Sequence, residues 1–334
     1  MSSTSLPPKY RLSTSKKVAS RHSHEISRVL LEDERVYWAK HRTHDIIQKQ
    51  IESSWKFVTV LYCCDERLEG QERDALDDEV ERDEQVAGFA RVIADGETFG
   101  YLADVVIVKE HEGKGLARTI VTEAVDHSGS PSSSSLDWKW LLFTGFPSLY
   151  ARVVKFEDPA PRGWAMLRWP TDPPRPIMAR PVIPSSYSVS ADKQVTLKHL
   201  PAITNALLSH PLVYWGKSRT RDVVKRQFER CEAVTVVHTD ESGDETLVGF
   251  ARIVTDMFDF GYIADVFVLP EHGKRGLAKA LIQTAVEDLG GPGCSRNWKW
   301  TLFTDDAHSL YERFDFEKVV TGSRVMERFP RTGA

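Results

Sequence analysis

From Gly249 to Ala278 the chain reads GFARIVTDMFDFGYIADVFVLPEHGKRGLA, and from Gly88 to Ala117 it reads GFARVIADGETFGYLADVVIVKEHEGKGLA. The two stretches align without a gap, and 16 of the 30 positions are identical. The match continues downstream, where Trp138-Lys139-Trp140 and Leu142-Phe143-Thr144 answer Trp298-Lys299-Trp300 and Leu302-Phe303-Thr304. Upstream, Tyr37-Trp38 and Arg42-Thr43 answer Tyr214-Trp215 and Arg219-Thr220. A period of about 160 residues is far longer than a solenoid unit, so each copy is a whole domain.

The second copy shows its elements most clearly. Leu200 to Lys217 and Arg221 to Arg230 read as helices, and Ala233–His238, Leu247–Val254 and Tyr262–Leu269 as strands, the last stopped by Pro270. Gly276 to Leu289 is a helix whose apolar stripe runs Leu277, Leu281, Ala285, Leu289. Trp298–Thr304, Ala307–Phe314 and Phe316–Val320 follow as strand, helix and strand, with an earlier strand near Tyr187–Val189. Hairpin-linked strands followed by strand–helix–strand give an α/β fold, a mixed sheet with helices on both faces. The expected domains are 1–168 and 185–334. The proline-rich 169–184 between them is an extended connector.

Composition narrows the function. Hydrophobic residues at 41% and charged residues at 28% suit two globular cores. No stretch approaches the length of a membrane span, and Met1 to Ser5 lacks the apolar core of a secretion signal. Cys63, Cys64, Cys231 and Cys294 show neither metal-ligand spacing nor a disulfide framework, which fits a reducing cytoplasm and no bound metal. From Asp65 to Glu84 there are eleven acidic and three basic residues, read as a solvated insertion in the first copy. The charge distribution argues against nucleic acid as a partner.

The chemistry concentrates where the third strand turns into a helix, at Val266-Phe267-Val268 and then Gly273-Lys274-Arg275-Gly276-Leu277-Ala278. A glycine-containing basic turn that opens a helix aims several backbone N–H groups at one point, an arrangement suited to a pyrophosphate. The first copy has Gly113-Lys114-Gly115 at this turn. On the strand itself, Asp265 reads as an ion-pair partner for Arg252. Glu271 and His272 read as turn and capping residues, Asp306 as a helix N-cap, and Tyr214-Trp215 as a hydrophobic clamp at a helix end.

Gly249-Phe250-Ala251-Arg252, Ala264-Asp265-Val266-Phe267-Val268-Leu269-Pro270-Glu271-His272 and Thr304 to Phe314 together resemble the GCN5-related N-acetyltransferase (GNAT) superfamily, over about 140 residues of each copy. The resemblance implies two tandem domains, each a splayed mixed sheet, with acetyl-CoA entering the splay and passing its acyl group directly to an amine. It implies that Tyr311 is the acid for the departing thiolate and that the N–H of Val268 is the donor to the thioester carbonyl. It also gives Asp265 a second reading, as the base for the amine, directly or through water, and gives Tyr214-Trp215 a second reading, as a wall of the acceptor pocket. The family turn is Gln/Arg-x-x-Gly-x-Gly/Ala, and both copies depart from it, with Glu112 and Gly273 at the first position. Glu112 would set a carboxylate beside the pyrophosphate, whereas Lys274-Arg275 is favourable in charge, so the second copy is the expected site. The expected activity is N-acetylation of a small-molecule amine, with a protein amine or O-acetylation on the same scaffold as variants. The alternative is a catalytically silent tandem that binds CoA or acts as an interaction module. The two domains are expected to pack as a pseudo-dimer.

Overall fold

A computed structural model describes residues 6–64, 83–130, 133–211, 213–322 and 324–329. Two compact units emerge, one of residues 1–158 with 324–334 and one of 159–323. The first contains β1 (Tyr10–Ser13), α1 (Lys16–Arg21), α2 (Ser23–Glu32), α3 (His44–Ser53), β2 (Lys56–Cys63), β3 (Glu84–Ala94), β4 (Phe99–Ile107), α4 (Leu116–Asp126), β5 (Lys139–Phe143) and α5 (Pro147–Val154). The second contains β6 (Ala165–Arg168), β7 (Tyr187–Ser190), α6 (Lys193–Lys198), α7 (Leu200–Ser209), α8 (Arg221–Arg230), β8 (Glu232–Thr239), β9 (Glu245–Thr255), β10 (Phe260–Val268), α9 (Leu277–Asp288), β11 (Lys299–Phe303), α10 (His308–Tyr311) and β12 (Glu317–Lys318). The last strand, β13 (Val325–Arg328), returns to the first unit.

Each unit is built on a mixed sheet, in the order β1-β2-β3-β4-β5-β13 and β12-β6-β11-β10-β9-β8-β7. The β4–β5 and β10–β11 pairs are parallel and the others antiparallel. Both faces of each sheet are covered, which is why the strands read as nearly continuous apolar runs. In the second unit Trp300, Leu302, Ile253 and Val236 pack with α9 through Leu281 and Ala285, while Phe250 and Phe267 pack on the other face with Ile203, Val224 and Phe228 of α7 and α8. Helix α8 starts at Thr220, whose hydroxyl accepts the Val223 N–H, and α3 starts at Thr43 in the same way. That accounts for the repeated Arg-Thr pair on its threonine side.

The expected boundaries follow the sequence repeat, and the packing does not. Strand β6 falls within the stretch expected to close the first domain, yet it pairs with β11, while β13 at the end of the second copy pairs with β5. Each sheet thus acquires an antiparallel cover for its β5 or β11 edge from the other copy's sequence. The proline-rich stretch is not a free connector either. Met178 donates its N–H to Glu287 at 2.9 Å and accepts from Gln283 at 2.8 Å, and Arg180 pairs with Asp288, so the segment runs along α9. Residues 65–82 of the acidic stretch lie outside the described residues. Its last residue, Glu84, belongs to β3, is buried, and accepts from Arg11 at 2.6 and 2.7 Å. The helix expected over Leu200–Lys217 stops at Ser209, because Pro211 forces His210 into extended backbone; Tyr214–Gly216 then forms a separate 3-10 turn. Among the described residues no helix is long and apolar enough to cross a membrane, and all four cysteines are free.

Candidate active site

The central parallel pair opens partway along its length. Strand β10 is bonded to β11 from Phe260↔Lys299 to Ile263↔Leu302, then continues alone to Val268. On its other edge β10 stays on β9, where Leu269 donates to the Val248 carbonyl at 2.8 Å. Antiparallel ladders alternate, so the N–H and C=O of Val268 point away from β9, into the gap left by β11. The first unit repeats this: β4 leaves β5 after Leu102↔Leu142, and Val108 donates to Ala87, which turns Ile107 into the gap.

A bulge sits where each strand comes free. The β9–β10 register slips between Ala264 and Phe267, and Asp265 takes φ 54°; Asp104 takes φ 49° at the matching slip. The carboxylate of Asp265 accepts from Arg219 Nη1 at 2.6 Å and Nη2 at 2.9 Å and from Arg252 Nε at 2.6 Å. Asp104 accepts from Arg42 at 2.8 Å, Arg91 at 2.7 Å and Trp38 Nε1 at 3.0 Å. Burial alone would raise the Asp265 pKa, but the two guanidiniums outweigh it and hold the carboxyl well below the usual carboxylate range. A carboxylate so engaged is a poor proton acceptor. Of the two readings of Asp265, the geometry supports the ion-pair partner and removes the base.

Past the bulge, β10 ends in a 3-10 turn over Pro270–His272, then Gly273 at φ −62°, Lys274 at φ 61° and Gly276 at φ 78°, where α9 begins with Leu277 and Ala278. Gly113 and Gly115 take φ 73° and 79° in the first unit. The left-handed residues bend the chain sharply enough for successive N–H groups at the helix start to converge. Lys274 is exposed. Arg275, expected as a second free cation, folds back instead, donating to the Glu271 carbonyl at 2.7 Å. Lys114 does the same to Glu110 at 3.0 Å. A Cβ on Gly276 would lie 3.3 Å from the carbonyl oxygen of Val182 and 3.7 Å from Ile183, so the proline-rich segment flanks this turn; nothing lies within 4 Å of the same position on Gly113 or Gly115.

The first unit carries a feature that sequence reasoning missed. Arg35 pairs with Glu112 of the turn and with Asp33, and its Nη2 donates to the Ile107 carbonyl at 3.3 Å. The guanidinium offsets the charge of Glu112 and crosses the end of the opened strand. In the second unit the equivalent region is a pocket of about 160 Å³ lined by His210, Val213, Trp215 and the backbone stretch Val266 to Pro270. A larger open depression, about 470 Å³, is lined by His24, Glu25, Arg28 and Gln85, none of them in the gap or turn.

Tyr311 lies in the apolar cluster that includes Leu277, with Val266 and Val268 packed against it. Burial, and then Asp306, push its phenol pKa up, and its hydroxyl has no hydrogen-bond partner among the described residues. Burial pushes Tyr150 up to about 12, and its hydroxyl is bonded to Thr144. Asp306 does not cap α10; the cap residue is Ala307, whose N–H is taken by Thr304 Oγ1 at 3.0 Å. The Tyr214 side chain lies outside the description. Among the described residues no cluster of His, Cys, Asp and Glu could hold a metal ion.

The profile of the Acetyltransferase (GNAT) family matches residues 38–138 and 200–316, more than half of the chain. The chain belongs to that family. FG08082 of Gibberella zeae, provisionally named an acetyltransferase, is 36% identical over 163 residues, 42% of this chain and 88% of its own. A GNAT-family protein of Xanthomonas campestris pv. campestris is 30% identical over 41% of this chain and 87% of its own, with a TM-score of 0.34. A tandem GNAT protein from the clavulanic acid biosynthesis pathway covers 97% of this chain and 100% of its own at a TM-score of 0.53 and 12% identity, a likeness of fold. Two GNAT-like domains in tandem are therefore the architecture of this chain.

Proposed function

We propose that the chain is an acetyl-CoA-dependent N-acetyltransferase acting on the amine of a small molecule, and that transfer occurs in the gap between β10 and β11. The observation that carries this reading is the freed strand end. Val268 turns its N–H and C=O into the gap, directly before a left-handed turn and a helix start, so one extended carrier and one diphosphate can be held in series. When bound, acetyl-CoA supplies the acyl group and the leaving thiol. Lys274 and the N–H groups of 273–278 would face the diphosphate. Val266, Phe267 and Val268 would line the arm, and the Val268 N–H would donate to the carbonyl oxygen as charge grows on it. Tyr311, neutral and with no hydroxyl partner among the described residues, would donate to the departing sulfur. Its raised pKa favours hydrogen bonding over early proton release.

The amine must lose a proton. Among the described side chains that line the pocket, His210 is the one that carries a basic nitrogen, and we assign it that proton in place of Asp265. The cysteine pattern supports a reducing cytoplasm as the setting. Replacing Lys274 and Arg275 by Glu tests the reading. CoA affinity by calorimetry should fall by more than about tenfold, and turnover across an amine panel should fall with it. Unchanged affinity would remove the second-unit turn as the carrier site.

A second reading has its own observation. Neither turn carries the family's Gln or Arg at the first position, and Arg35 crosses the gap of the first unit. A CoA-binding module without turnover would satisfy both facts. CoA binding with no acetyl-CoA consumption, with any amine of the panel, would favour it.

A further inference from the structure

The turn before α9 is gripped from the sheet edge by a side chain that the chemistry above does not use. Tyr187 opens β7, the edge strand of the seven-stranded sheet. Its hydroxyl is 2.9 Å from Nδ1 of His272, the residue before Gly273. The Arg275 guanidinium lies over its ring at 6.0 Å. His238, its cross-strand partner, packs 4.7 Å from the Tyr187 ring and 5.5 Å from His272. Behind it, the Tyr187 N–H donates to the Pro184 carbonyl at 3.0 Å, tying the same strand end to the segment that flanks Gly276.

The first unit builds the same device from diverged residues. Tyr10 places its hydroxyl 2.8 Å from His111 Nδ1, Lys114 lies 5.6 Å over the Tyr10 ring, and Tyr62 stands where His238 does, 5.2 Å from Tyr10 and 5.3 Å from His111. An arrangement kept in both copies, while its cation and its third ring changed, is a property of the turn. The second unit needs it more. Lys274 is held at φ 61°, a left-handed conformation disfavoured for residues with a Cβ, where the first unit has Gly113 at φ 73°. Such a residue persists only where its surroundings over-determine it.

We propose that Tyr187 is a positioning residue for acyl-CoA: through His272 and Arg275 it fixes the 273–276 turn so that its N–H groups converge on the diphosphate. This role rests on the assignment of that turn as the carrier site. The test is Tyr187→Phe in the full-length chain, which keeps the ring and its cation contact and removes one hydroxyl. CoA affinity by calorimetry and the KM for acetyl-CoA should worsen about fivefold, the size of one lost hydrogen bond, while kcat stays within about twofold. Amide exchange over 271–279 should quicken in the variant without ligand. Tyr187→Phe combined with His272→Gln should be no worse than the worse single variant, because the two act as one unit.

Unchanged affinity in Tyr187→Phe, with the wild-type chain binding CoA, would overturn the proposal alone. So would a loss confined to kcat. A wild-type chain with no affinity for CoA would overturn the turn's assignment and this role with it.

Discussion

Arg219 grips Asp265 with two nitrogens, at 2.6 and 2.9 Å, and Arg42 reaches Asp104 at 2.8 Å from the matching place in the other unit. Arg219 stands just before the cap of α8, so the pair ties the loop that walls the pocket to the bulge of β10. Arg252 closes the clamp from β9. The buried charges offset one another, and the left-handed bulge that frees the end of β10 is held by them.

Asp265→Asn should therefore be a stability variant. It leaves two arginines sharing one neutral acceptor, and breaking a buried pair of this kind costs about 3–5 kcal/mol. The clamp's contribution requires an ionised Asp265. Because its folded pKa lies below the unfolded value, that contribution is present above the unfolded pKa and is lost as pH falls through the acid range below it. Urea unfolding should show the loss near neutral pH. A fully stable Asp265→Asn chain whose turnover alone is lost would return Asp265 to the chemistry.

The repeat made the architecture legible. Sixteen identities in thirty positions demand two domains, and the words around Asp265 and Tyr311 led to the gap and the turn. What stayed hidden was long-range. The exchange of β6 and β13 pairs β11 with a strand about 130 residues earlier and β5 with one about 180 residues later, which local pattern cannot report. Arg35 and Glu112 are separated by the whole of β2 to β4, and neither carries a motif. Tyr187 and His272 are 85 residues apart, and only the edge position of β7 brings them together. Asp265 was legible as important, but its role depended on Arg219, whose repetition as Arg42-Thr43 and Arg219-Thr220 was visible without its partner.

Tyr311 and Tyr150 separate mechanism from fold. Tyr311→Phe removes a hydroxyl that has no partner among the described residues, so fold and CoA affinity should persist while turnover falls by about 10² or more. Tyr150→Phe removes a hydroxyl bonded to Thr144 and should leave turnover near wild type. Single-turnover rates with saturating acetyl-CoA measure both. Loss with Tyr150→Phe and none with Tyr311→Phe would move the active site to the first unit.

The two turn histidines set a mild acid sensitivity. Burial lowers the pKa of His272, with His238 and Arg275 adding to it and Glu271 opposing; burial and Lys114 lower His111, with Glu110 and Glu25 opposing. A folded pKa below the unfolded value means that the unfolded chain takes up protons first, so stability is whole above about pH 6.5 and declines as pH falls below it. That window lies above the carboxylate range, where the Asp265 clamp fails. Tm should drop between about pH 7 and pH 5.5, and less so when both histidines are replaced by Gln. Equal drops in the two chains would show that other groups set the slope.

Arg35 offers the sharpest division between the two units. It donates to the carbonyl of Ile107, a group turned into the gap of the first sheet, and it pairs with the Glu112 carboxylate of the adjoining turn. A carrier arm lying in that gap would need the same carbonyl, so arm and guanidinium exclude one another. The cost of displacement is moderate, since Arg35 is 41% exposed and such pairs are worth about 0–1 kcal/mol each in water. Loss of the Ile107 bond and of the Asp33 contact adds to it. The wild-type chain should bind one CoA, in the second unit, with the first unit weak. Arg35→Ala alone would bare Glu112 beside the diphosphate, so the informative variant is Arg35→Ala with Glu112→Gln, which clears the gap and removes the charge. Calorimetry should then find a second CoA per chain. A stoichiometry already at two in the wild type would show that Arg35 yields to the carrier, and a stoichiometry still at one in the double variant would show that more than Arg35 closes the first unit.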